Sequence, residues 1–178
     1  MENRCGIDLM DAIINRFSVR TYTDEPVTDA QLEALLTAAF CAPSACNRRP
    51  WEIIVVRDRA MLDELALLAP AKHMLAQAPL GLVVCGELAR TLNRDLLLND
   101  CSAATQNILL AAYGLGLGSC WCGLSDPTVV EKLSGLLSIP EGIIPATLIA
   151  VGHPNEQRTQ PDRLAPDHVH YEQYGSKA

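Results

Sequence analysis

The 178-residue sequence is short of positive charge, of long apolar runs and of metal-ligand spacings. Lys and Arg number 14 against 21 Asp and Glu, for a net charge of −7. Broad electrostatic attraction to nucleic acid is therefore disfavoured, and any phosphate site has to be a local cluster of arginines. No apolar run reaches the roughly 18 residues of a membrane span. The opening MENRCGID starts with charge and leads into an amphipathic segment, so no signal peptide is expected. No GxGxxG follows the first strand candidate, which leaves a dinucleotide-binding Rossmann unit unsupported. Cys120 and Cys122 form CxC without a second Cys or His pair at ligand spacing, so no metal site is expected. Internal repeats and low-complexity linkers are also missing.

What is present describes one globular domain spanning residues 1–178. The composition is 49% hydrophobic and 20% charged, enough for a large core, and only the terminal GSKA reads as a fraying tail. The 7 cysteines are odd in number and several sit inside apolar runs, as in LGLVVCG. That usage fits reduced thiols and a cytoplasmic location.

The hydrophobic pattern predicts more helices than strands. Ile7, Met10, Ile13, Ile14 and Phe17 fall at helical spacing behind Asp8 as N-cap, and Thr28 with Gln31 forms a capping-box pattern before Leu32, Leu35, Leu36, Ala39 and Phe40. Trp51 to Val56 reads as a strand, Asp58 as the cap of a helix through Leu62, Leu65 and Leu68, and Leu80 to Cys85 as a buried central strand. A long helix is expected from Asp95 or Asp100 to Tyr113, closed by Gly114. Pro127 suits the first turn of a further helix, and Ala146 to Val151 is another buried strand. The terminal DHVHYEQY reads as an edge strand or an extended arm. The fold class is α+β, a small central mixed sheet flanked by helices.

Three segments carry candidate chemistry. In RFSVR, an extended backbone puts Arg16, Ser18 and Arg20 on one side, two planar guanidinium forks and a hydroxyl suited to phosphate. The bland alternative is cations near a helix C-terminus. In APSACNRRPW, Ser44 and Asn47 read equally as turn caps, and Cys46 beside Arg48 and Arg49 as a thiol of lowered pKa, although no histidine lies near in sequence. In YGLGLGSCWCG, glycines let the backbone approach a flat ligand closely.

Taken in order and spacing, these segments resemble the nitroreductase family of FMN-dependent oxidoreductases, from about Asp8 to Tyr174. RFSVR resembles R-R-S-x-R, with Phe17 where a second arginine is common. APSACNRRPWEIIVV resembles A-P-S-x-x-N-x-Q-P-W and its following strand, with Arg49 where glutamine is common. GHP, then Arg163 and HVHYEQY, resembles the family's closing segment. The long insertion that forms a lid in larger members is missing.

The resemblance implies an intertwined homodimer with FMN at each subunit junction and NAD(P)H as electron donor. Arg16, Ser18, Arg20 and Arg163 would hold the phosphate, the ribityl chain or the polar edge of the ring. Pro43, Ser44, Ala45, Asn47 and Arg49 would line the flavin from the other subunit. The backbone of Ser119, Cys120, Trp121, Cys122 and Gly123 would run along the isoalloxazine. No side chain need act as acid, base or nucleophile, since the flavin carries the chemistry. The expected activity is reduction of a small acceptor of nitroaromatic, quinone or flavin type by ping-pong hydride transfer. The alternatives are a flavin-binding or flavin-delivery protein without turnover and a thiol sensor using Cys46.

Overall fold

A computed structural model describes residues 7–161 and 163–177. Cys5 and the first residues of the chain lie outside the described part. The element order is α1 (Leu9–Asn15), α2 (Asp29–Phe40), β1 (Trp51–Val56), α3 (Arg59–Leu67), β2 (Leu80–Glu87), α4 (Arg94–Gly114), β3 (Gly118–Gly123), α5 (Pro127–Leu136) and β4 (Ile143–Gly152).

The local signals act where expected. Asp8 and Asp58 cap α1 and α3, Thr28 and Gln31 form a complete capping box on α2, and Pro127 opens α5. Two helix ends differ from the sequence reading. The apolar period of α1 runs through Phe17, yet the helix stops at Asn15 because Arg16 is already extended at ψ 134°. At the end of α4, Leu115 is the C-cap and Gly116, at φ +74°, takes the left-handed position assigned to Gly114.

The four strands form one sheet in the order β1-β2-β4-β3. All three ladders are antiparallel, so the mixed sheet expected from the sequence is corrected to an antiparallel one. Among the described residues, parallel pairing occurs only in an isolated bridge between Ser18 and Ser119. The reason is connectivity: α4 carries the chain back so that β3 runs in the same direction as β2, but β4 enters between them antiparallel to both, so no two neighbouring strands run the same way.

Period-two alternation splits the core between the sheet's faces. Leu80, Leu82, Val84, Ile149 and Val151 meet α2 and α4 through Leu35, Ala39, Leu97, Ala104 and Ile108. Val83, Cys85, Leu148 and Ala150 meet α3, α5 and the turn at Pro70–Ala76 through Leu62, Leu65, Leu75 and Leu133. β2 and β4 are thus covered on both faces, as their unbroken apolar runs require.

The chain's ends are different. Leu9, Met10, Ile13 and Ile14 on α1 are exposed, Leu9 at 66% and Ile14 at 56%. Beyond β4 the described residues form a short 3-10 turn at Pro166–His168 and no strand, so DHVHYEQY is an arm and the edge-strand alternative falls. Leu164, Val169, Tyr171 and Tyr174 on this arm are exposed. Among the described residues no helix is long and apolar enough to cross a membrane.

Candidate functional site

The site is built where the extended segment after α1 runs against the edge strand β3. Val19 N–H donates to Ser119 O at 3.0 Å. Val19 is buried over Gly118, and a Cβ at Gly118 would lie 2.8 Å from three Val19 carbons. Only glycine permits that approach, which ties the LGLG pattern to the placement of RFSVR. The buried Tyr22 hydroxyl donates to Val19 O at 2.6 Å and fixes the segment from its other end. Its pKa is raised, chiefly by burial, so it remains a donor.

With Val19 facing inward, its neighbours face a cavity of about 320 Å³. Arg16, Ser18, Arg20 and Arg163 line it, so the structure brings together all four residues that the sequence reading assigned to this end of the site. Phe17, Arg158, Thr159, Gln160 and Pro161 also line it, and among the described residues no carboxylate does. The Arg16 pKa is lowered, first by burial and then by the Arg163 cation. The half-buried Arg16 guanidinium is therefore held near the exposed Arg163 cation, a field that an anion relieves.

Residues that the sequence reading did not single out shape this cavity. Glu156 Oε1 accepts from Arg20 N–H at 2.5 Å and Thr21 N–H at 3.2 Å, and the first of these bonds leads in lowering its pKa. Gln160 Nε2 donates to Arg16 O at 3.4 Å, and Arg163 donates to Gln160 Oε1. The available signal was the charged pair Glu156 and Arg158 directly after GHP.

Ser119, Cys120 and Cys122 are buried, while Trp121 and Gly123 are exposed. β3 is the sheet's edge, and Ser119 O turns outward to Val19. By strand alternation the backbone groups of Trp121 and Gly123 face the same open side. Gly123 O is taken by the buried Lys72 at 3.2 Å. The Cys120 thiol is lowered, first by its interaction with the neighbouring Cys122 thiol and further by Arg20 and Ser18, while Cys122 is driven up.

The Pro43–Arg49 loop lies apart from this cavity: Pro43, Ser44, Ala45, Asn47 and Arg49 do not line it within the protomer. The loop is organised nevertheless. Ala45 N–H donates to Asp100 Oδ1 at 2.9 Å, Arg49 N–H to Ser44 Oγ at 2.9 Å and Arg49 Nε to Asn47 Oδ1 at 2.9 Å. Cys46, Asn47 and Arg49 have φ of 52°, 55° and 49°, left-handed values that cost non-glycine residues energy. Strain kept on an exposed loop is characteristic of a segment built for a ligand or partner. Asp100, a buried charge on α4, was not legible as part of this loop.

The nitroreductase family model matches residues 13–73 and 67–153, which include RFSVR, the Pro43–Arg49 loop and β3. The chain belongs to the nitroreductase family. A family relative from Methanothermobacter thermautotrophicus, whose name joins NADH dehydrogenase and NAD(P)H nitroreductase, is 40% identical over 171 residues, covering 94% of this chain and 88% of its own. The oxygen-insensitive NADPH nitroreductase of Salmonella typhimurium is 34% identical, over 88% of this chain and 70% of its own. Among solved structures, an FMN-dependent nitroreductase from Clostridium difficile superposes with a TM-score of 0.86 at 28% identity, covering 93% of this chain and 99% of that one. The nitroreductase fold thus accounts for nearly the whole described chain.

Proposed function

We propose that this nitroreductase-family protein is an FMN-dependent oxidoreductase that uses NAD(P)H to reduce a small acceptor of nitroaromatic, quinone or flavin type. The observation that carries the reading is the convergence of Arg16, Ser18, Arg20 and Arg163 on one cavity beside β3. The donor set fits a phosphomonoester, since guanidinium groups fork onto phosphate oxygens and no described lining residue carries negative charge. When bound, FMN supplies the redox chemistry, taking hydride from NAD(P)H and passing electrons to the acceptor in ping-pong order.

The chain's own residues bind, orient and stabilise charge. Arg16, Ser18, Arg20 and Arg163 hold the phosphate, the ribityl chain or the polar edge of the ring. The backbone of β3, from Ser119 through Cys120, Trp121 and Cys122 to Gly123, would run along the ring. Arg16 and Arg49 are the cations assigned to the ring's polar edge, where a preorganised positive charge favours incoming negative charge.

A homodimer completes this site. The exposed apolar face of α1 and the exposed arm after β4 are surfaces that a second copy buries. In that assembly the strained loop of one protomer, with Pro43, Ser44, Ala45, Asn47 and Arg49, walls the arginine cavity of the other. Residues 1–178 act as one FMN-binding domain, and the 6 unpaired cysteines among the described residues favour a reducing cytoplasm. The test is NAD(P)H oxidation by the purified protein with a nitroaromatic or quinone acceptor. Unchanged FMN affinity and reduction rate in both Arg16→Ala and Arg49→Ala overturns the roles given to them, and a strict monomer overturns the shared site.

A further inference from the structure

The loop after β4 carries a cation whose placement is more constrained than a surface arginine requires. Arg158 lines the arginine cavity with Arg16, Arg20 and Arg163, and it also lines the adjoining cavity of about 420 Å³. Its guanidinium carbon stands 6.0 Å from the centre of the Phe17 ring, within the range at which an aromatic face attracts a cation. Its Nε faces Glu156 Oε2 at 3.4 Å. Glu156 is in turn pinned through Oε1 to the backbone of Arg20 and Thr21. Both supports thus belong to, or are tied to, the segment that presents Arg16, Ser18 and Arg20.

This arrangement leaves the charge available. Among the described residues the one ion-pair partner of Arg158 is Glu156, reached through Nε at 3.4 Å. Its side chain is 54% exposed, so it does not hold the core together. An exposed ion pair of this kind contributes little, so the guanidinium can exchange or share its carboxylate partner at small cost. A dianionic phosphate in the cavity offers oxygens that bind a planar fork more strongly than one distant carboxylate oxygen does.

We propose that Arg158 is a phosphate-binding residue that makes the site selective for the phosphorylated flavin over riboflavin, with Phe17 and Glu156 as its positioning residues. The inference rests on the FMN reading above. The ligand group is a phosphomonoester, for which the cofactor and a phosphorylated nicotinamide donor are two possible sources, and the assignment is to the cofactor.

The experiment titrates flavin-stripped full-length protein with FMN and with riboflavin, by flavin fluorescence, at low and high salt. Wild type, Arg158→Ala, Arg158→Lys and Phe17→Leu are compared, with circular dichroism confirming that each is folded. Arg158→Ala is expected to weaken FMN about 10-fold, the loss of one charge-assisted bond, and to change riboflavin affinity by less than about twofold. Its FMN affinity also falls less steeply with salt. Arg158→Lys recovers only part of the loss, because a point charge lacks the fork, and Phe17→Leu gives a smaller, phosphate-dependent loss. Equal FMN affinity in wild type and Arg158→Ala, or equal losses for both flavins, overturns the inference alone. So does an unchanged FMN affinity with a raised KM for NADPH, which gives Arg158 to the donor instead. A wild-type protein that binds neither flavin overturns the FMN reading and this inference with it.

Discussion

Gly118→Ala perturbs the contact that holds RFSVR against β3. The added methyl would meet Val19 Cβ, Cγ1 and Cγ2 at 2.8 Å. Aliphatic carbons settle at about 3.5–4.0 Å, so Val19 would have to retreat by roughly 0.7 Å or more. It is not free to do so, because its N–H is bonded to Ser119 O at 3.0 Å and its carbonyl to the Tyr22 hydroxyl at 2.6 Å. Overpacking of this kind costs about 1–3 kcal/mol. In a protein of this size that is a fall in thermal midpoint of roughly 2–12 °C, read by differential scanning calorimetry. Ser18 and Arg20 flank Val19, so the same displacement spreads the arginine cavity and weakens FMN binding. Val19→Ala removes two of the three clashing carbons, and a double-mutant cycle should return a favourable coupling of about 0.5–3 kcal/mol. If Gly118→Ala melts with the wild type, or the coupling is zero, the glycine is not what seats this segment.

Three further outcomes follow from the site. Glu156 has a lowered pKa, so its contribution is fully present above the ordinary carboxylate value and is lost as pH falls through the depressed one. Wild type should therefore resist urea better than Glu156→Gln at pH 7, with the gap closing in acid; a gap constant from pH 7 to pH 3 contradicts this. Asp100→Ala removes the acceptor of the Ala45 N–H and should cost about 1–3 kcal/mol, with faster hydrogen exchange at Ala45. Unaltered exchange there would mean that α4 does not hold the loop. Cys46 is exposed and its side chain forms no bond in the loop network, so Cys46→Ser should keep full NAD(P)H oxidation, and a large loss would revive the thiol reading.

Much of the fold was legible because its signals are local. The caps at Asp8, Thr28 and Asp58 and the first-turn Pro127 depend on neighbours within a turn, and the apolar runs of β2 and β4 reveal burial on both faces. Strand direction was not legible, because it depends on how long connections return, and the sheet is antiparallel rather than mixed. The left-handed glycine after α4 was misplaced by two positions because Gly114 and Gly116 are equivalent on paper, and only the backbone shows that Gly116 takes positive φ.

The site divides in the same way. Arg16, Ser18 and Arg20 could be grouped from their spacing, and Arg163 from the family resemblance, and the four do line one cavity. Glu156, Arg158 and Asp100 could not, since their roles come from contacts across more than 50 residues of sequence or from a ring beneath a guanidinium. The exposed apolar face of α1 was legible as helix periodicity but not as surface, because the same pattern serves a core or a second copy.

The central claim is that the arginine cavity and β3 form an FMN site completed by a second chain. The most direct measurement is the visible spectrum of the purified protein under size-exclusion chromatography, followed by identification of the released chromophore. The account predicts flavin absorption co-eluting with a two-chain species and FMN recovered at about one per chain. A colourless protein that takes up no FMN on reconstitution would contradict it.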